Sequence, residues 1–288
     1  MKKGQTTIKN YYKDFLTTII KEKAFIIPLV IIFLIFIIGF IFNYFADETK
    51  YLTIDMEKAY IIPSFKYPFG TNNSGQNQLY IVFVSAYHTI LLAVIVTMIN
   101  LLVGIVVGVF WGVSEKFAKV MFIIKNFVDS TPLIYFYIII AMIFKRGFLP
   151  LILVVILFGW LEFAYLIRNN ILIIKNKDYN KVSQIYNVSL FKRTVNNYLP
   201  PILPLIFNNI ILSIPKIISL EIIISYFGFS LGGYNYSLGT LIYNSISNST
   251  YYTHSYMFFI PFLILFIVNL CMYFISKTIS VKFSKEEF

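Results

Sequence analysis

Six long apolar runs alternate with polar stretches along the 288 residues: about Ala24–Phe45, His88–Trp111, Val120–Phe144, Phe148–Ile167, Ile202–Ile224 and Tyr256–Ile275. The first has 22 residues and no charge. At about 1.5 Å per residue it reaches roughly 33 Å, enough to cross a bilayer core. No small-residue cleavage site follows it, so an uncleaved anchor is expected rather than a secretory signal. The second run extends back toward Leu79. The pattern predicts an all-α, polytopic membrane protein with six transmembrane helices. Its divisions are a tail at 1–23, a first helix and outer loop at 24–78, a five-helix core at 79–280 and a tail at 281–288.

The polar stretches orient these helices. Seventeen of the 24 Lys and Arg residues fall on the side shared by both tails, the second-to-third turn and the Arg168–Leu199 loop. Five fall opposite, and Lys125 and Lys216 lie within spans. By the positive-inside rule both termini are expected in the cytoplasm, with 46–78 and 225–255 facing outward. The second outer stretch has no charged residue and is rich in Tyr, Asn, Ser and Gly.

Composition sharpens this picture. The chain is 58% hydrophobic and 13% charged, against about 45–50% and about 25% for soluble domains. A soluble globular domain and a disordered chain are both excluded. The net charge of +11 is mainly an orientation signal and not a nucleic-acid footprint. A single cysteine, Cys271, forms no intrachain disulfide. The sequence has no phosphate-binding G-x-x-x-x-G-K-[ST], no H-E-x-x-H, no paired-Cys metal motif and no G-x-S-x-G. His88 and His254 fall near outer span ends, where interfacial rings rest. No catalytic set and no metal site is expected.

The Arg168–Leu199 loop is the long inner one, with six positive charges. Tyr179, Val182, Tyr186 and Leu190 recur at helical spacing, and Asp178 is placed to cap the helix start. Two readings stay open for such an amphipathic segment: it lies among lipid headgroups, or it fits a groove on a cytoplasmic partner.

This stretch resembles the coupling helix of ABC-importer permease subunits, which carry Glu-Ala-Ala, then Gly, then Leu-Pro. The corresponding positions here are Lys181-Val182-Ser183, Asn187 and Leu199-Pro200. The spacing and Leu-Pro are retained; the acidic residue, both alanines and the glycine are replaced. Three further stretches resemble the dipeptide and oligopeptide branch of that family. Tyr67-Pro68-Phe69-Gly70-Thr71-Asn72-Asn73-Ser74-Gly75 is similar to its Pro-Phe-Gly-Thr-Asp-x-x-Gly segment. Gly159-Trp160, Ala164 and Arg168, followed by Asp178-Tyr179, match its approach to the coupling loop. Glu221, Ser225-Tyr226-Phe227-Gly228 and Ser237-Leu238-Gly239 match the outer end of its fifth span. Together these cover about 65–250, in one consistent order.

The resemblance implies a type I importer permease fold and a C-type oligopeptide permease subunit in a bacterial cell membrane. Its implied partners are a sister permease, two cytoplasmic ATPase subunits, an extracytoplasmic peptide-binding lipoprotein and membrane lipid, with no nucleic acid. This chain would bind no cofactor; ATP and Mg would sit on the ATPases, so it would be a transport subunit and not an enzyme. Coupling falls near 178–192, on Asp178, Tyr179, Lys181, Val182, Ser183, Tyr186, Asn187 and Leu190. The outer motifs with Pro68, Phe69, Gly70, Gly75, Gly228 and Gly239 would help receive the lipoprotein. From the residues alone these are turn formers. Alternatives are a nickel or other small-solute permease of the same branch, a membrane enzyme and a scaffold.

Polar groups inside spans are costly and usually have a partner or a wet cavity. Lys125 and Asp129 share a helix face, just ahead of Pro132. Glu162 is expected to pair with Arg168. Asn126, Asp129, Asn208, Asn209, Ser213, Lys216 and Glu221 are candidates for a hydrated pathway, with interhelical pairing as the competing reading. Gly104, Gly108 and Gly112 are spaced for close helix packing, within the chain or against a partner permease.

Overall fold

The computed structural model describes residues 20–45, 53–144, 148–226 and 237–286. Among these, the backbone is helical apart from turns and one isolated bridge between Thr71 and Asn77. The elements are α1 (Lys23–Phe45), α2 (Gln78–Val113), α3 (Glu115–Asp129), α4 (Leu133–Phe144), α5 (Phe148–Phe158), α6 (Trp160–Ile174), α7 (Asp178–Ile185) and α8 (Leu190–Arg193). A π-helical turn (Thr194–Tyr198) leads into α9 (Leu199–Tyr226), followed by α10 (Leu238–Ser247), α11 (Thr250–Thr253) and α12 (Tyr256–Glu286).

Among the described residues, five stretches are long and apolar enough to cross a membrane: α1, α2, Pro150–Ile174, Leu190–Tyr226 and Tyr256–Lys282. The expected third span, Val120–Phe144, is not one straight helix. It is α3 and α4, bent by 86° at the break, and counts as a sixth span only as that pair. Pro132 has no N–H and disfavours helical geometry at Thr131. Ser130 and Thr131 donate their hydroxyls to the Phe127 carbonyl at 2.9 and 3.1 Å, which competes with helix continuation.

Two span boundaries also shift. The second helix starts at Gln78, where the Asn77 side chain accepts from the Leu79 N–H at 3.0 Å. The inner loop is shorter than its polarity implied. α6 runs on to Ile174, with Ile167, Ile171 and Ile174 buried against Val109, Tyr198, Ile202 and Ile206. Helix resumes at Leu190. The π turn, in which the Leu199 N–H reaches back to Thr194 O, lies directly ahead of Pro200 and Pro201. Prolines cannot donate to the ordinary ladder, and a π bulge is one way to absorb the mismatch.

Lipid tails are as apolar as leucine, so close van der Waals packing rather than water exclusion holds such helices together. The glycines mark where it occurs. A Cβ on Gly104 would lie 2.5 Å from Phe163 Cβ, and one on Gly108 would lie 2.7 Å from Ala164 O. The Gly104–Gly108–Gly112 face therefore seats α2 on α6, within this chain. Gly39 likewise brings α1 against the Phe83 backbone and Tyr87 of α2. Glu22 and Lys282 form an ion pair at 2.6 Å, so the start of α1 and the end of α12 lie at the same end of the bundle.

Candidate functional site

One end of the bundle presents α7. Asp178 is its first residue rather than its cap, and its carboxylate lies 3.6 Å from Lys181 Nζ. Tyr179 and Val182 are about half exposed, and Ile185 and Tyr186 are 77% and 78% exposed. Large apolar side chains thus project from a short helix at the end of the molecule. Leu190 opens α8 and packs against the cluster around Ile171. Asn187 ends the turn with φ 49°, a left-handed conformation that glycine favours and asparagine tolerates. A glycine would meet this backbone demand equally well.

What anchors α7 is Asn180, which the sequence reading passed over. It is fully buried; its Nδ2 donates to Ile174 O at 2.8 Å, and its Oδ1 accepts from Asn197 Nδ2 at 2.9 Å. Asn197 also donates to Ser183 Oγ at 3.1 Å, and Ser183 donates to Tyr179 O at 2.9 Å. The network ties α7 to the end of α6 and to the π turn that leads into α9. An asparagine in a Lys-rich loop reads as solvated surface, so no local pattern reveals it.

At the opposite end of α2, the Pro68–Gly75 stretch forms a tight turn. Pro68 is exposed and Phe69 leans on Phe83. Gly70 has φ 73°, donates to Tyr67 O and accepts from the N–H of Gln78. Gly75 has φ 75° and sits so close to Asp55 O that no side chain fits. Thr71 bonds Lys58 O and the Ile61 N–H through its hydroxyl, and its carbonyl accepts from Tyr256 Oη at 2.8 Å. The turn is fastened to the starts of both α2 and α12. Tyr60 stacks on His254 with ring centroids 4.2 Å apart. Beside it, Lys58 pairs with Asp55 and holds that carboxyl below its ordinary range.

Glu221 forms a second node. It is 2% exposed, and its Oε1 accepts from Ser225 Oγ at 3.0 Å and Ser237 Oγ at 2.5 Å. Ser237 caps α10 in a reciprocal pair with Thr240, and the Leu238 N–H donates to Thr89 Oγ1 of α2 at 3.1 Å. The carboxylate therefore sits at the positive end of α10. A Cβ on Gly239 would meet Glu221 Oε2 at 2.6 Å. The separated motif residues Glu221, Ser225, Ser237 and Gly239 thus converge; Gly228 lies outside the described residues.

The intramembrane polar candidates divide into two groups. Asn208 accepts from Ser276 Oγ at 2.7 Å, Asn209 donates to Leu205 O, and Ser213 donates to Asn209 O. With Glu221, these bond within the chain. Asn126, Asp129 and Lys216 are exposed. Asp129 pairs with Lys125 at 2.6 Å, and Lys125 lies over the Tyr165 ring. Glu162 pairs with Lys216 and not with Arg168; the two side chains are 52% and 58% exposed. Arg168 instead lies over the Phe122 ring, 4.7 Å from its centroid, and donates to Asn169. Among the described residues, no group of three or more His, Cys, Asp or Glu side chains is placed to hold a metal ion.

Residues 104–285 match the family described as the inner membrane component of binding-protein-dependent transport systems. The chain is 30% identical over 276 residues to the oligopeptide transport system permease protein AmiD of Streptococcus pneumoniae, an alignment covering 94% of this chain and 88% of that one. It is 27% identical over 263 residues to the oligopeptide transport system permease protein OppC of Lactococcus lactis, covering 90% and 89%. It is 28% identical over 222 residues to the dipeptide transport system permease protein DppC of the same species, covering 76% and 64%. The family match spans more than half of the chain and takes in the α2–α6 packing, the exposed α7 and the Glu221 node, so the chain belongs to the inner membrane components of binding-protein-dependent transport systems.

Proposed function

We propose that this chain is a permease subunit of an ATP-driven importer of oligopeptides or dipeptides. It pairs with a sister permease around one path, docks two cytoplasmic ATPase subunits through the paired coupling helices, and receives peptide from an extracytoplasmic binding lipoprotein. Both termini face the cytoplasm, in keeping with the excess of basic residues on that side. The observation that carries the reading is α7: a short helix with Tyr179, Val182, Ile185 and Tyr186 turned outward and Asn180 locked beneath them. An exposed apolar helix face of this kind fits a groove on a partner. The similarity to oligopeptide and dipeptide permeases over most of the chain supplies the substrate class.

The proposed cycle follows from the connections. ATP-driven closure of the ATPases moves α7, and the Asn180–Asn197 link passes that movement to α9. The Glu162–Lys216 pair lies on the outward faces of α6 and α9, within spans. Charges that face lipid are costly, so this face belongs to the hydrated path or the sister permease, and Asp129 belongs with it. The test is co-purification with the products of neighbouring genes, followed by reconstitution into vesicles with ATP and defined peptides. Peptide uptake coupled to ATP hydrolysis is expected. Accumulation of another solute with no peptide uptake would replace the substrate class, and a chain that co-purifies with no ATPase would sink the importer reading.

A further inference from the structure

Beside the Pro68–Gly75 turn lies a cleft that this motif walls on one side only. It has a volume of about 180 Å³ and lies between that turn and one side of α10, with Met257 of α12 beside it. Among the described residues, six carboxamides line it: Asn72, Asn73 and Gln76 from the turn, Gln78 at the start of α2, Asn244 from α10 and Asn248 just after it. Among the described residues, no charged side chain lines it.

The turn side is rigid. Asn72 Oδ1 accepts from the N–H groups of Ser74 and Gln76 at 3.0 and 2.9 Å, and its Nδ2 donates to Gln76 Oε1 at 2.8 Å. The base is fixed as well, because Ser245 donates to Met257 O at 2.9 Å and joins α10 to α12. Asn244 and Asn248 stand opposite, four residues apart on one helix face and both exposed. The exposed carboxamides are Asn73, Asn244 and Asn248, Gln76 and Gln78 being buried and Asn72 engaged in the turn; each offers two N–H donors and a carbonyl acceptor, the complement of a main-chain peptide unit. Uncharged amide walls suit a neutral peptide group, with no full charge to pair with a charged peptide end. The volume is below the roughly 300–1,000 Å³ of pockets that enclose whole small ligands, so only a short stretch of chain fits.

We propose that this carboxamide-lined cleft binds a short stretch of extended peptide main chain at the outer entrance of the transporter. Recognition through backbone amides suits a carrier of varied sequences, because it is indifferent to side chains. This inference rests on the peptide-importer reading and adds a subsite to it.

The test uses Asn248→Cys in the assembled transporter without the binding lipoprotein. The native Cys271 is buried, so a maleimide reports on position 248. Saturating tetra-alanine should slow labelling severalfold, and tetra-alanine methylated on its main-chain nitrogens should not. In vesicles with the lipoprotein present, Asn244→Leu should raise the KM for tetra-alanine about tenfold, the loss expected for one or two hydrogen bonds. It should also erase most of the preference over the methylated peptide, whereas a merely structural defect would lower uptake of both peptides alike. Equal labelling with and without peptide, while uptake persists, would overturn the cleft and leave the importer intact. Protection by the lipoprotein alone, without peptide, would also overturn it and make the cleft a protein-docking surface. Failure of the intact transporter to take up any peptide would overturn the importer reading itself.

Discussion

Two single positions show how much a Cβ atom decides. At Asn187 the backbone is left-handed, with φ 49°, a conformation that costs most side chains about 1–2 kcal/mol. Asn187→Gly should therefore preserve the number of peptides moved per ATP hydrolysed, and Asn187→Val should lower it by loosening the end of α7. At Gly239 an added methyl would press on the buried Glu221 carboxylate, whose place is fixed by two serine hydroxyls. Gly239→Ala should lower thermal stability in detergent by about 1–3 kcal/mol, the usual range for overpacking. Unchanged melting would show that the node relaxes freely.

Elements show where local pattern suffices and where it fails. Apolar runs made α1 and α12 readable, because lipid demands a long stretch without charge. The π turn and the extension of α9 back to Leu190 were not readable: polar residues there pack on neighbouring helices instead of meeting water. The α3–α4 break was half visible, in Pro132, but its 86° angle depends on tertiary packing. The outer and inner motifs were legible as signatures. Their cross-links, Thr71 to Tyr256, Thr89 to Leu238 and Asn180 to Asn197, pair residues far apart in sequence and leave no periodic trace. Two outcomes belong to α7. Tyr186→Asp places a charge on its exposed apolar face and should uncouple ATP hydrolysis from uptake while the chain still inserts and folds. Unaltered peptide-stimulated ATPase in reconstituted vesicles would count against that role. Asn180→Ala leaves the Asn197 amide short of a partner, at about 1–3 kcal/mol. It should reduce ATPase co-purification less than uptake, since the docking face remains but its tie to α9 is lost.

For the whole molecule, the proposed reading turns the half-exposed Glu162–Lys216 pair away from lipid. Glu162→Lys should abolish uptake by placing two cations side by side, and the charge-swapped Glu162→Lys/Lys216→Glu chain should recover much of it. Failure of the swap with normal complex assembly would mean that the orientation of the pair matters to what passes. The length of α2 bears on how the two ends communicate. Its 36 residues make a rod of about 54 Å, well beyond a hydrocarbon core of about 30 Å. One end is tied through Gln78 to the Gly70 carbonyl, and the other meets Lys175 at the Gly112 carbonyl, three residues before α7 begins. Seated on α6 by its glycines, this rod would act in the proposed cycle as a seesaw: a small tilt at the end beside α7 would swing the end held by Gly70, without any part of the shaft having to unwind.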